Sequence, residues 1–205
     1  MSVFEKLNLS DQIAHLRHIC NLFTSFTNTY LAWELGSETW TRKDSVTPAL
    51  GFKKEFFHDD KVIKWSEFIF TKSVAHFKRV SLTNVEFALL IAIIFTKPGP
   101  SNGINLFELG LRSKGAENMS PEGKELLYNE SIKYTNILLR YNQQRLGLIE
   151  GAQRLDECMR LINRSIENEY TVRLMLSHQI KHYPMDGKNY FKCSNFTEKY
   201  LNRSD

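Results

Sequence analysis

The ten residues EFALLIAIIF, Glu86 to Phe95, are apolar nearly all round. A segment of this kind must be buried on most sides, so the rest of the chain has to be built around it. Thr83-Asn84-Val85-Glu86 places a capping box directly before the run. With the alanines inside it, that box selects a helix over a strand. The run falls well short of the roughly 20 apolar residues that a membrane-spanning helix needs, so it reads as a central core helix. Only ten Gly and five Pro occur in 205 residues, too little turn chemistry for many short strands. Long helices fit better.

The flanking segments carry helical periodicity. Ser10 can cap a helix from Asp11 to about Glu34, with Asp11 well placed against the helix dipole. Its apolar stripe is Ile19, Leu22, Phe23, Phe26, Tyr30 and Trp33. Asn21, Thr24, Ser25 and Asn28 on the other side are polar but uncharged, which predicts a partly buried helix. Residues 35–53 break the period. Thr39, Trp40 and Thr41 favour a short strand, so at most one small β-hairpin is expected, near residues 38–50. Asp59 and Asp60 cap a further helix, with a break expected near Thr71. Lys97-Pro98-Gly99-Pro100 ends the central helix, and residues 97–119 read as the longest loop. Ser120-Pro121-Glu122 restarts a helix with a cap and a proline at its first position. That helix should end at Gly147, and a last long helix should run to about His182. One all-α domain over residues 1–183 is expected, followed by a polar and aromatic tail, 184–205.

Charge and chemistry exclude more than they specify. The net charge is +4, from 27 basic and 23 acidic residues, without the clustered basic stripe that marks a nucleic-acid footprint. Neither direct nucleic-acid contact nor a membrane association is therefore expected. The start, MSVFEKLNLSD, has no basic-then-apolar leader. Cys20, Cys158 and Cys193 form no CxxC pair and hence no structural zinc site. His178 and His182 stand at metal-ligand spacing, but no acid lies between them and no third ligand suggests itself. No phosphate loop, nucleophile elbow or Cys-His dyad can be read. No enzyme is expected.

One pattern is more specific. Phe4, Leu7, Asp11, Gln12, Ile13, Leu16 and Arg17 spell F-x-x-L-x-x-x-D-Q-I-x-x-L-R. This resembles the signature of the nuclear hormone receptor ligand-binding domain, where the third helix of that family passes into the fourth. EFALLIAIIF resembles the family's buried eighth helix, and residues 120–166 resemble its ninth to eleventh helices. The divergence elsewhere resembles the nematode branch. The resemblance implies an antiparallel α-helical sandwich and a nuclear transcription regulator. It also implies a chain without the DNA-binding module and the first helices, so that zinc would enter only with an upstream module.

The resemblance carries site expectations with it. A coregulator helix would lie in an apolar groove formed by Leu7, Gln12, Ile13, Leu16 and Arg17, with Glu198 as an acidic clamp from an activation helix in the tail. Counting along the same helix, Asn21, Thr24, Ser25, Asn28 and Leu31, with Trp40, would line a pocket for a lipophilic ligand. Leu31 stands where many relatives place a ligand-anchoring Arg. Alternatively, Phe23, Phe26 and Tyr30 fill that space. Leu155, Met159, Ile162 and Ile166 would form a dimer seam with a second copy or another nuclear receptor. The competing reading is a ligand-independent interaction module that occupies partners.

Overall fold

A computed structural model of the chain describes residues 2–40, 54–98 and 119–182. Seven α-helices run in the order α1 (Ser2–Glu5), α2 (Leu9–Glu34), α3 (Asp60–Ser66), α4 (Ser73–Val80), α5 (Asn84–Thr96), α6 (Pro121–Leu146) and α7 (Leu148–His182). A 3-10 turn, Lys54–His58, precedes α3, and a π-helical turn, Glu67–Lys72, joins α3 to α4. There is no strand among the described residues. Thr39 and Trp40 are irregular: the Trp40 N–H donates to the Phe70 carbonyl at 3.1 Å, a helix partner and not a strand one. The remainder of the expected hairpin, and the tail from residue 183, lie outside the described residues.

Local signals set most helix ends. Thr83 Oγ1 accepts from the Glu86 N–H, and the Glu86 carboxylate accepts from the Thr83 N–H at 2.8 Å, which is the reciprocal capping box. Ser120 caps α6 through the Gly123 N–H, with Pro121 at the first helical position. Gly147 takes φ of 95°, open to a residue without Cβ, and so ends α6 one residue before α7 begins. Asp59 caps α3 by accepting from the N–H groups of Lys61 and Val62. The break expected near Thr71 is the π turn, not an interruption. α2 differs from expectation at its start. Asn8, not Ser10, is the cap: its Oδ1 accepts from the Asp11 N–H at 2.8 Å, and the helix begins at Leu9.

Contacts among the described residues gather into two compact units. One is built from the chain up to Thr24 and from Val80 to Asn163, the other from Ser25 to Arg79 and from Arg164 onward. In the first, α5 packs along α6, and Leu90, Ile93, Ile94, Leu127 and Leu138 are buried. Val3, Leu7, Ala14, Met119 and Leu127 form one apolar cluster, with Phe4 against it. In the second, Phe56, Val62, Ile69, Phe70 and Met175 form the core, with Trp40, Trp65, Phe68 and Val172 packed on it. Phe26 meets Phe77 edge-on at 5.1 Å.

The first unit holds a buried charge. Glu86 is 0% exposed, a costly position for a carboxylate unless it is paired. Arg154 meets it with two nitrogens, Nε at 2.7 Å and Nη2 at 2.9 Å. Arg145 adds Nη2 at 3.0 Å. The same Arg154 guanidinium donates to the carbonyls of Val80 and Ser81, pinning the left-handed Ser81 (φ 50°) just before α5. Removing Arg154 would leave the carboxylate facing a half-exposed Arg145 alone. Arg154→Ala should lower the unfolding free energy by about 3–5 kcal/mol in urea titrations. Arg160→Ala, which removes the exposed i,i+4 pair with Asp156, should cost less than about 1 kcal/mol.

Candidate functional site

The first turns of α2 are fixed from below by polar contacts that the sequence pattern does not announce. Asp11 is buried, and its carboxylate accepts from the Ser120 N–H at 2.7 Å, the Ser120 hydroxyl at 2.6 Å and the Asn8 amide at 2.8 Å. The starts of α2 and α6 are thereby tied together. Gly123 makes room for this junction, since a Cβ there would lie 2.6 Å from Asp11 Oδ2. Gln12 reaches back, donating Nε2 to the Phe4 and Leu7 carbonyls at 3.1 and 3.0 Å. It thus satisfies the open carbonyl end of α1.

His15 lies on the same inner face, fully buried. Its Nε2 is 2.7 Å from the Phe95 carbonyl at the end of α5, so the neutral ring donates there. Nδ1 is buried without a protein partner among the described residues. Burial holds the imidazole below its ordinary pKa, and the Phe95 bond opposes this only in part. Burial also pushes Glu86 upward, but the Arg154 hydrogen bond, the Thr83 N–H and the two guanidinium charges outweigh it and leave Glu86 below its ordinary value. Cys158 is buried, and its thiol is pushed up to about 12 by that burial and then by Glu86. It is an inert core group.

The outer face of α2 is different. Ile13 is 42% and Leu16 45% exposed, and Arg17 beside them is exposed, one helical turn apart on one face. Arg17 makes no hydrogen bond or ion pair with any described residue. The expected groove set therefore divides. Leu7 is 4% exposed and belongs to the core cluster, because it lies in the turn between α1 and α2 and packs with Val3, Ala14, Met119 and Leu127. Gln12 is likewise spent on capping α1. Ile13, Leu16 and Arg17 share the surface, and Glu198 lies outside the described residues.

The expected pocket set does not converge. Thr24, Asn28 and Leu31 are exposed, Asn21 and Trp40 are half-buried, and Ser25 alone is buried. Helical geometry turns Thr24, Asn28 and Leu31 to the same side as Arg17. Leu22, Ser25, Phe26, Thr29 and Tyr30 are the buried residues of that stretch of α2. Trp40 donates Nε1 to Thr29 Oγ1 at 3.1 Å and stacks edge-on against Phe70. In the expected dimer seam, Ile162 is 1% exposed, since it falls on the core stripe of α7 with Cys158 and Leu161. It cannot face a partner. Leu155, Met159 and Ile166 are half-buried.

No group of three or more metal-binding side chains occurs among the described residues. His178 Nε2 instead meets Asp59 Oδ2 at 2.8 Å, and its ring lies 4.4 Å from that of His182. No described helix is long and apolar enough to cross a membrane.

These burials fix an acid response. The folded state holds His15 neutral, whereas the unfolded chain protonates it near 6.5. Its contribution to stability therefore falls as pH drops below that value. Glu86, depressed in the fold, loses its contribution at lower pH, as it takes up a proton. Unfolding free energy should fall between about pH 7 and pH 5, and His15→Gln should reduce that slope. An equal slope in both proteins would show that His15 does not supply it.

A search of curated proteins found no match to this chain. The family model described as the ligand-binding domain of nuclear hormone receptor matches residues 1–178. That span contains every described helix except the last turn of α7, and the helices are those of an all-α ligand-binding domain. The chain belongs to the nuclear hormone receptor ligand-binding domain family.

Proposed function

We propose that the chain regulates transcription in the nucleus by docking an amphipathic helix of a coregulator protein on the outer face of α2. Members of the family are typically nuclear, bind coregulators, dimerise and are generally non-enzymatic. The observation that carries the reading is local. Ile13 and Leu16 stand exposed beside an Arg17 free of any partner among the described residues. All three are mounted on a helix start fixed by Asp11, Ser120 and Gln12. Apolar anchors at helical spacing suit the leucines of an amphipathic helix, and a cation at the rim suits its carbonyl end. The chain performs no chemistry in this role. Residues 1–183 act as one receptor-type domain and residues 184–205 as its tail, and these residues make no direct contact with nucleic acid.

A second reading, docking without a ligand, draws support from one observation. The second unit is packed with its own aromatic side chains: Phe56 and Phe70 in the core, with Trp40, Trp65 and Phe68 against them. A lipophilic ligand entering there would have to displace them. Native mass spectrometry of the purified chain separates the two readings. A lipid-sized adduct supports gating by ligand, and the bare chain mass supports constitutive docking.

The docking face itself is tested with a synthetic helical peptide carrying leucines at i, i+3 and i+4. Leu16→Ala and Arg17→Ala should each weaken binding about tenfold, or roughly 1.4 kcal/mol, with unfolding midpoints close to the parent's because both side chains are exposed. Variants that fold and bind like the parent would refute the assignment.

A further inference from the structure

The serine that joins the starts of α2 and α6 is followed directly by Pro121. Of the five prolines in the chain, two follow Ser or Thr, in Thr47-Pro48 and Ser120-Pro121, and Thr47 lies outside the described residues. Ser120 stands just ahead of α6 with an extended backbone, φ −61° and ψ 151°, as a residue before proline ordinarily does. A serine so placed, with a tertiary amide and no N–H after it, is the acceptor that proline-directed protein kinases select. Its hydroxyl also holds the junction together. The proton goes to Asp11 Oδ2 at 2.6 Å, and the oxygen accepts from the Gly123 N–H at 3.0 Å. Asp11 is 2% exposed, and a Cβ on Gly123 would already lie 2.6 Å from Oδ2. The carboxylate therefore has no room beside it for a larger group.

We propose that Ser120 is a phosphorylation site and that its phosphate detaches the start of α2 from α6. A proline-directed kinase supplies the γ-phosphoryl group from ATP. The bond from Ser120 Oγ to phosphorus forms as the bond to the ADP oxygen breaks, ADP leaves, and the hydroxyl proton passes through the base of the kinase to solvent. Ser120 is half-buried, so the first turn of α6 opens for the transfer, and the phosphate then captures the open arrangement. The product carries close to two negative charges at neutral pH. It can no longer donate to Asp11, and its oxygens fall where the carboxylate lies. The two anions compete for one helix start. The phosphate wins, because it is covalently fixed at the N–H groups of α6, where the helix dipole favours an anion, and because its charge is larger. Asp11 keeps the Asn8 amide and gives up Ser120. The cap of α6 survives, whereas α2 loses its anchor from below. Ile13, Leu16 and Arg17 are mounted on that start, so phosphorylation weakens coregulator docking. That consequence, unlike the detachment, rests on the docking face proposed above.

The test uses the 205-residue chain carrying Thr47→Val, in which Ser120 alone among Ser and Thr precedes a proline. A proline-directed kinase with magnesium and ATP should place a phosphate on Ser120, located by peptide mass mapping. Pro121→Ala should cut that incorporation about tenfold or more. Hydrogen exchange then reads the junction. On phosphorylation, the amides of residues 11–17 should exchange about tenfold faster, while those of residues 127–138 in α6 change by less than about threefold. Asp11→Asn, which has no carboxylate to repel, should show a smaller increase when phosphorylated. A chain that takes no phosphate on Ser120 overturns the proposal. So do α2 amides that keep their rate, α6 amides that open equally, and an Asp11→Asn chain released as far as the parent. Peptide binding by the unphosphorylated chain reports on the coregulator face separately.

Discussion

A carboxylate with no access to water sets the terms for the first unit. Glu86 opens the most apolar helix of the chain and must be ionised to serve both as a capping-box acceptor and as an ion-pair partner. Holding it there takes two guanidinium groups, one on α6 and one on α7. The charge thus recruits three helices to one point, and a shift of any of them would leave it uncompensated. The Arg154 head extends the constraint to the Val80 and Ser81 carbonyls, so the turn into α5 is fixed by the same group. Hydrophobic packing of EFALLIAIIF would tolerate many rotations of a helix that is apolar on all sides. The Glu86 pairing selects one.

A second junction does for α2 what this one does for α5. Asp11 and Ser120 are 109 positions apart, and each supplies what the other's helix start lacks. Ser120 caps α6 with its hydroxyl oxygen while its proton goes to Asp11. Asp11 accepts three hydrogen bonds and is closed in by Gly123. The result is a helix start whose inner face is committed to fixed partners, while Arg17 on its outer face has none among the described residues.

What the sequence conveys and what it hides follow from this. Caps are local, so Thr83 with Glu86, Ser120 with Pro121, and Gly147 could all be read from neighbouring residues. Ser10 was a plausible cap too, but Asn8 stands two residues earlier with an equally able side chain and takes the Asp11 N–H. The burial of Leu7 depended on α1 being a separate short helix, which breaks the spacing that places Leu7 beside Ile13. Ile162 lies close to the boundary between the inner and outer stripes of α7, and a quarter-turn decides its face. The contacts of Asp11 with Ser120 and of His15 with Phe95 join segments far apart in sequence, and no spacing rule announces them. The uncharged Asn21, Thr24, Ser25 and Asn28 predict a partly buried helix, and of these only Ser25 is buried. Thr24 and Asn28 face outward and not into a pocket.

That reversal bears on function. A neutral helix face turned inward needs no further explanation, whereas one turned outward leaves Ile13, Leu16 and Leu31 exposed with Arg17 and Glu34 as the charged side chains of α2 beside them. Lys or Glu at Thr24 or Asn28 would bury no charge among the described residues, since both side chains are exposed. The fold therefore does not require the neutrality of this stripe. Exposed apolar side chains that the described packing does not use, Ile13 and Leu16 with Arg17 beside them, are what a docked amphipathic helix would use. A short coregulator helix would use one end of the stripe.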